Sequence, residues 1–102
     1  MQLARVRGNV VASIKSPGLA SHKLLLLEPV AAEAPMSDGA GRAADLYVAV
    51  DLAGAGVGEV VLVALGSAAR VDADCGAAPT DAAVIAIVDS VQLDGVSTFV
   101  KR

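Results

Sequence analysis

The segment from Gln2 to Ser13 reads QLARVRGNVVAS. Arg5, Arg7 and Asn9 fall on one parity, and Ala4, Val6, Val10 and Ala12 on the other. A period of two sends successive side chains to opposite faces, so a long strand with one buried face is expected here. Gly8 interrupts the pattern, where a glycine marks the kind of bulge or bend that barrels use. Strands are expected again at KLLLLEPVAA from Lys23, at DLYVAVD from Asp45, at EVVLVAL from Glu59 and at AAVIAIVDSVQL from Ala82. In DLYVAVD the alternation places Leu46, Val48 and Val50 inward. Four consecutive leucines need cover on both faces, from this chain or from a neighbouring subunit. Pro29 implies an edge or bulge at the end of that run. Asp94-Gly95 is a hairpin turn signal, sending VSTFV back as a returning strand.

No stretch carries the period of a long amphipathic helix, and GSAARVDADCGAAPTD from Gly66 reads as short helical turns or loop. About six short strands with glycines at the bends give a mainly all-β class. The expected architecture is a small OB-like five-stranded barrel with an extra C-terminal hairpin strand and short helical turns. A chain of 102 residues is one domain, spanning 1–102. The polar, Pro- and Gly-containing stretch 33–45 is expected to be a long, exposed, mobile loop.

Composition narrows the function. Hydrophobic residues make up 55% of the chain, almost all aliphatic, with aromatics at 2%. That is more apolar surface than a core of this size absorbs, which points to self-association. Net charge is −3 and Tyr47 and Phe99 are the only aromatics. A nucleic-acid partner needs a positive field and stacking platforms, so none is expected. No apolar run approaches the ~20 residues that span a bilayer, so no membrane partner is expected either. The first residues carry two arginines without a long apolar core after them. An intracellular, reducing setting is the expectation. Cys75 is alone and His22 is the only histidine, so neither an internal disulfide nor a transition-metal site is expected. The DAD run from Asp72 to Asp74 lacks the closing glutamate of a calcium loop. Neither metal nor cofactor is expected.

The stretch DLAGAGVGEVVLV sets Gly54, Gly56 and Gly58 on alternate positions, before Glu59. A dinucleotide loop requires a helix after the glycines, and a P-loop requires Gly-Lys-Ser/Thr. Here β-branched residues follow, the spacing is G-x-G-x-G, and Asp51 and Glu59 would repel phosphate from both sides. The glycines therefore read as a compact connection where backbones crowd, with Gly56 the position expected to be least able to accept a side chain. No catalytic residues emerge. Ser67 lacks a G-x-S-x-G elbow and reads as a cap on a short turn. Arg70, following small residues, is placed to reach a carboxylate or carbonyls across a subunit boundary, and Glu59 is a candidate partner.

The order of these elements resembles the EutN/CcmL family of bacterial microcompartment vertex proteins. The opening carries Gly8, Val10, Val11, Ser13, Lys15, Gly18, Leu19, Lys23, Leu24 and Leu25. The centre carries Asp51, Gly54, Ala55, Gly56, Gly58, Glu59, Val61 and Leu62, and the late element Pro79, Asp81, Val84, Ile85, Ile87, Val88 and Asp89. Ala68 stands where the family usually has a second serine, and Ala86 where it often has glycine. The resemblance implies a homopentamer of OB-like barrels that caps the vertices of a shell of hexameric proteins and enables its closure, with no enzymatic activity. Gly54, Ala55, Gly56, Gly58, Glu59, Ser67 and Arg70 are then candidates for the subunit interface or pore. Lys15, His22 and Lys23 are candidates for contacts with the rest of the shell. The competing reading is an oligomeric barrel that binds a small molecule.

Overall fold

The computed structural model describes residues 1–13, 15, 17–19, 22–32, 45–70 and 80–101, excepting the Arg70 side chain. Strands run over Gln2–Val10 (β1), Lys23–Pro29 (β2), Tyr47–Asp51 (β3), Val60–Leu65 (β4), Ala82–Ile87 (β5), Ser90–Leu93 (β6) and Val96–Val100 (β7). Short 3-10 turns occupy Pro17–Leu19 and Gly66–Arg70. The first five strands close a barrel in the order β1-β2-β3-β5-β4, with only the β3–β5 pair parallel. The expected OB-like barrel is present. Closure leaves no open sheet edge in it. Of the loop expected at 33–45 only Asp45 is described. Residues 71–79, with Asp72, Asp74 and Cys75, lie outside the described residues.

The ladder between β1 and β2 shifts register between Val6 and Gly8, the bulge that Gly8 signalled. β1 ends at Val10 rather than continuing to Ser13. Val10 pairs with Leu24, and β2 begins only one residue earlier at Lys23, so the ladder runs out of partner.

Alternation along each strand fills the interior. Ala4 and Val6, Leu25 and Leu27, Ala49, Val61 and Val63, and Ala82 and Val84 form one buried cluster. Tyr47, Ala53 and Ile87 pack against it. On β3 the parity is opposite to the expected one. Tyr47 and Ala49 face the barrel, while Val48 is 45% exposed and Val50 is buried from outside by Leu19, Leu24 and Leu52. The physical reason is volume. A barrel of five strands encloses little space, and the leucines of β2 with the valines of β4 and β5 occupy most of it. Alanine fits what remains at 49, so the larger valines turn outward. Aliphatic alternation alone does not say which parity is the inner one.

The expected single strand from Ala82 to Leu93 is two strands. The Val88 amide donates to the Val60 carbonyl (2.8 Å), the last rung on the barrel. The chain then leaves, and the Lys101 amide returns to the Asp89 carbonyl (2.7 Å) to close the base of a separate β6–β7 hairpin. Its turn has Asp94 at φ 52° and Gly95 at φ 79°. Two central residues at positive φ match the right-handed twist of the flanking strands, which is why Asp-Gly signals this hairpin.

Candidate functional site

The glycine-rich connection from Asp51 to Glu59 folds around its own two carboxylates. Asp51 Oδ1 accepts from the amides of Ala53 (3.0 Å) and Gly54 (2.9 Å), and Oδ2 accepts from Ala55 (3.1 Å). Glu59 Oε1 accepts from the Gly56 amide at 2.7 Å. The Gly58 amide donates to the Val6 carbonyl (2.8 Å) and the Glu59 amide to the Gly56 carbonyl (3.2 Å). The amides that a phosphate nest would aim outward are thus already committed. The loop instead lays Ala55, fully buried in the core cluster, across one mouth of the barrel.

Gly54 (φ 79°) and Gly58 (φ 91°) adopt the left-handed region that favours glycine. Gly56 does not, and a Cβ there would meet Glu59 Oε1 at 3.5 Å, an ordinary contact. Within one chain the residue least able to accept a side chain is therefore not Gly56 but either of its glycine neighbours. Gly58→Ala is expected to cost about 1–2 kcal/mol in equilibrium denaturation. Gly56→Ala is expected to range from neutral to about 1 kcal/mol stabilising, by restricting the unfolded chain. A loss at Gly56 would then report on contacts between copies, not on the barrel.

Glu59 has a second partner that the sequence did not suggest. Its Oε2 lies 2.7 Å from Lys101 Nζ, tying the hairpin base to the glycine loop. The hydrogen bond from Lys101, with that from the Gly56 amide, holds the Glu59 carboxyl below its ordinary pKa. The same bond raises Lys101. A lowered carboxyl contributes stability above its unfolded pKa and loses it as pH falls through the folded value. A raised amine loses its contribution as pH rises through its own folded value. The destabilisation caused by Glu59→Gln, read as a shift in thermal midpoint, should be largest near neutral pH and vanish at the acid end. An unchanged difference at pH 3 would remove the ion pair as its cause. Arg70 was the partner expected for Glu59; its side chain lies outside the described residues.

The candidate residues divide between two places. β4 separates the glycine loop from the Gly66–Arg70 turn, and its six residues span roughly 20 Å. Ser67 is exposed inside that turn rather than before it, and the Gly66 amide donates to the Asp81 carbonyl at 2.7 Å. Lys23 joins the loop end, with Nζ 3.5 Å from the Ala55 carbonyl. Lys15 is exposed and its Nζ reaches the carbonyl of the half-buried His22 at 3.3 Å.

Two charged clusters went unread in the sequence. Glu28 is 1% exposed on β2, and its Oε2 lies 2.5 Å from Arg7 Nη1. Arg5 is buried under the hairpin, donating to the Gly58 carbonyl at 2.8 Å, with its guanidinium 5.8 Å from the centre of the Phe99 ring. The available signal was a glutamate inside an apolar run, opposite a strand with arginines on its outward parity. No group of acidic, histidine or cysteine side chains suited to a metal occurs among the described residues. No described helix is long and apolar enough to cross a membrane.

A family model described as ethanolamine utilisation protein EutN/carboxysome matches residues 1–89. The carboxysome shell vertex protein CcmL of Synechococcus elongatus is 45% identical over 103 residues, covering 100% of this chain and 97% of the relative. A solved carboxysome subunit CcmL superposes with a TM-score of 0.85 at 42% identity, each chain covered in full. The GrpN pentameric microcompartment shell protein from Rhodospirillum rubrum gives 0.73 at 38% identity, over 91% of this chain and 99% of that one. With the barrel order and the glycine loop in agreement with the resemblance, the chain belongs to the EutN/CcmL family.

Proposed function

We propose that this protein is a structural vertex subunit of a bacterial microcompartment. Copies of it form a homopentamer that sits in the shell, within the bacterial cytoplasm, among hexameric shell proteins. Hexagonal units tile a flat sheet, and a pentagon at a lattice point forces the curvature that closes a polyhedron. Membership of a family whose relatives are named as shell vertex proteins, one solved relative being pentameric, carries this reading. The protein's work is geometric, not catalytic.

The outward apolar residues fit this role. Val48, Leu65 and Ile85 lie on the barrel, and Leu93, Val96 and Val100 on the hairpin, each more than a third exposed in the single chain. A ring closes head to tail, so each copy presents two different patches to its neighbours. We assign Gly54, Ala55, Gly56, Gly58 and Glu59 to the neighbourhood of the axis. Ser67 and Arg70, at the far end of β4, go to the boundary between copies. Lys15 and His22 go to the rim that meets hexamers, while Lys23, expected there, goes with the glycine loop, since its Nζ lies 3.5 Å from the Ala55 carbonyl.

Co-production with hexameric shell proteins tests this. Closed polyhedral shells are expected in electron micrographs when the chain is present, and open sheets or tubes when it is omitted. Equal closure in both cases, or shells that exclude the chain, would contradict the proposal.

A further inference from the structure

The tip of the β6–β7 hairpin carries an aspartate followed by a glycine. The ladder closes on the Leu93–Val96 pair, so Asp94 and Gly95 form a two-residue loop beyond it, both exposed. Among the described residues Asp94 is the only non-glycine one at positive φ (52°), beside Gly95 at 79°. Aspartate enters the left-handed region more readily than most residues, but still at a cost. The other described aspartates are placed differently. Asp51 spends both carboxylate oxygens on three amides. Asp81 and Asp89 precede Ala82 and Ser90, which are the first residues of strands, and Asp45 precedes Leu46. Of these only Asp94 is followed by a residue without a Cβ to hinder its amide nitrogen.

The contacts that hold the hairpin sit at its base. Lys101 Nζ reaches Glu59 at 2.7 Å, the Lys101 amide bonds the Asp89 carbonyl, and the Phe99 ring lies 5.8 Å from the Arg5 guanidinium. Leu93 and Val96, which flank the loop, are 40% and 56% exposed. Among the described residues no ladder joins β6 or β7 to the barrel, and a lone two-stranded hairpin is at best marginally stable in water. The tip therefore opens at a cost well below that of unfolding the barrel.

We propose that Asp94–Gly95 is a site of spontaneous backbone modification, in which Asp94 converts to isoaspartate on opening of the hairpin. The Gly95 amide nitrogen attacks the carbon of the protonated Asp94 side-chain carboxyl. A new N–C bond forms, the amide proton and the carboxyl hydroxyl leave as water, and a five-membered succinimide results. Water then adds to one of its two carbonyls. Opening at the side-chain carbonyl restores aspartate. Opening at the main-chain carbonyl breaks the original peptide bond and leaves the chain running through Asp94 Cβ and Cγ. Nothing is oxidised or reduced. The closed turn opposes the ring, because both its central residues are left-handed and ring closure needs Asp94 to swing out of that form. The isoaspartyl product has one more main-chain carbon, which a two-residue loop does not accommodate, so the Leu93–Val96 pair is lost.

Tryptic mapping with electron-transfer fragmentation, on protein aged at physiological temperature, tests this. It reads isoaspartate, and a succinimide lighter by one water, in the peptide 71–101. Both should accumulate at Asp94 roughly tenfold or more faster than at Asp81 and Asp89 of the same peptide. Lys101→Met frees the hairpin base and should speed the change at Asp94 further. The sequence also holds Asp38-Gly39, in the separate peptide 24–42, whose rate Lys101→Met should leave unchanged. An Asp94 that ages no faster than Asp81 and Asp89 overturns the site. A Lys101→Met variant that leaves the Asp94 rate as it was, or raises Asp38 equally, overturns control by hairpin opening.

Discussion

Arg7→Met is expected to cost about 3 kcal/mol, the lower end of the roughly 3–5 kcal/mol seen when one partner of a buried ion pair is removed. Glu28 is 1% exposed and accepts a 2.5 Å bond from Arg7 Nη1, so the substitution strands a carboxylate inside the protein wall. The Arg7 side chain is itself 38% exposed, and water entering through that opening moderates the loss. Total stabilities of small domains run to about 5–15 kcal/mol, so the variant would sit near the edge of folding. Replacing both residues, Arg7→Met with Glu28→Met, should recover most of the loss, because no charge is then buried. Urea denaturation at a shared slope separates the cases. Equal costs for the single and double variants would show that the pair contributes packing and not charge compensation.

Asp51→Ala should destabilise by about 2–4 kcal/mol. One side chain accepts three amides, and its removal leaves the Ala55 amide without its acceptor beside a residue that is 1% exposed. An orphaned buried donor costs about 1–3 kcal/mol, to which the two more accessible bonds add less. Asp51→Asn keeps a single carbonyl oxygen and should recover part of the difference. Hydrogen exchange at residues 53–55 should accelerate well beyond the global change, since the loop opens before the barrel does. Exchange that rises uniformly over all strands would mean the loop has no separate opening and that Asp51 supports the barrel directly.

The barrel was legible because its strands carry aliphatic alternation bounded by glycine and proline, with Gly8 and Asp94-Gly95 marking a bulge and a turn that are both present. Asp51 and Glu59, read from the sequence as acids flanking the glycines, turn out to take up the amides of that loop. What stayed hidden depends on three-dimensional closure. The inner parity of β3 is set by how much volume the other strands have already used, which no local pattern encodes. The break at Val88–Asp89 depends on where β4 begins, at Val60, 28 residues earlier in the chain, whose carbonyl takes the last barrel rung from the Val88 amide. Lys101 and Glu59 are far apart in sequence, so their pairing follows from the hairpin leaving the barrel and returning beside the loop. Candidate interface residues on the glycine loop and on the Gly66–Arg70 turn look adjacent in sequence but occupy opposite ends of β4.

The central claim is that surplus aliphatic surface on this small barrel is buried against identical copies in a closed ring. Native mass spectrometry of the purified chain at micromolar concentration is its most direct test. A dominant species at five times the chain mass, persisting on dilution until it falls straight to single chains, is the predicted result. A species that remains a single chain at high concentration, or that settles at a different multiple, would contradict it.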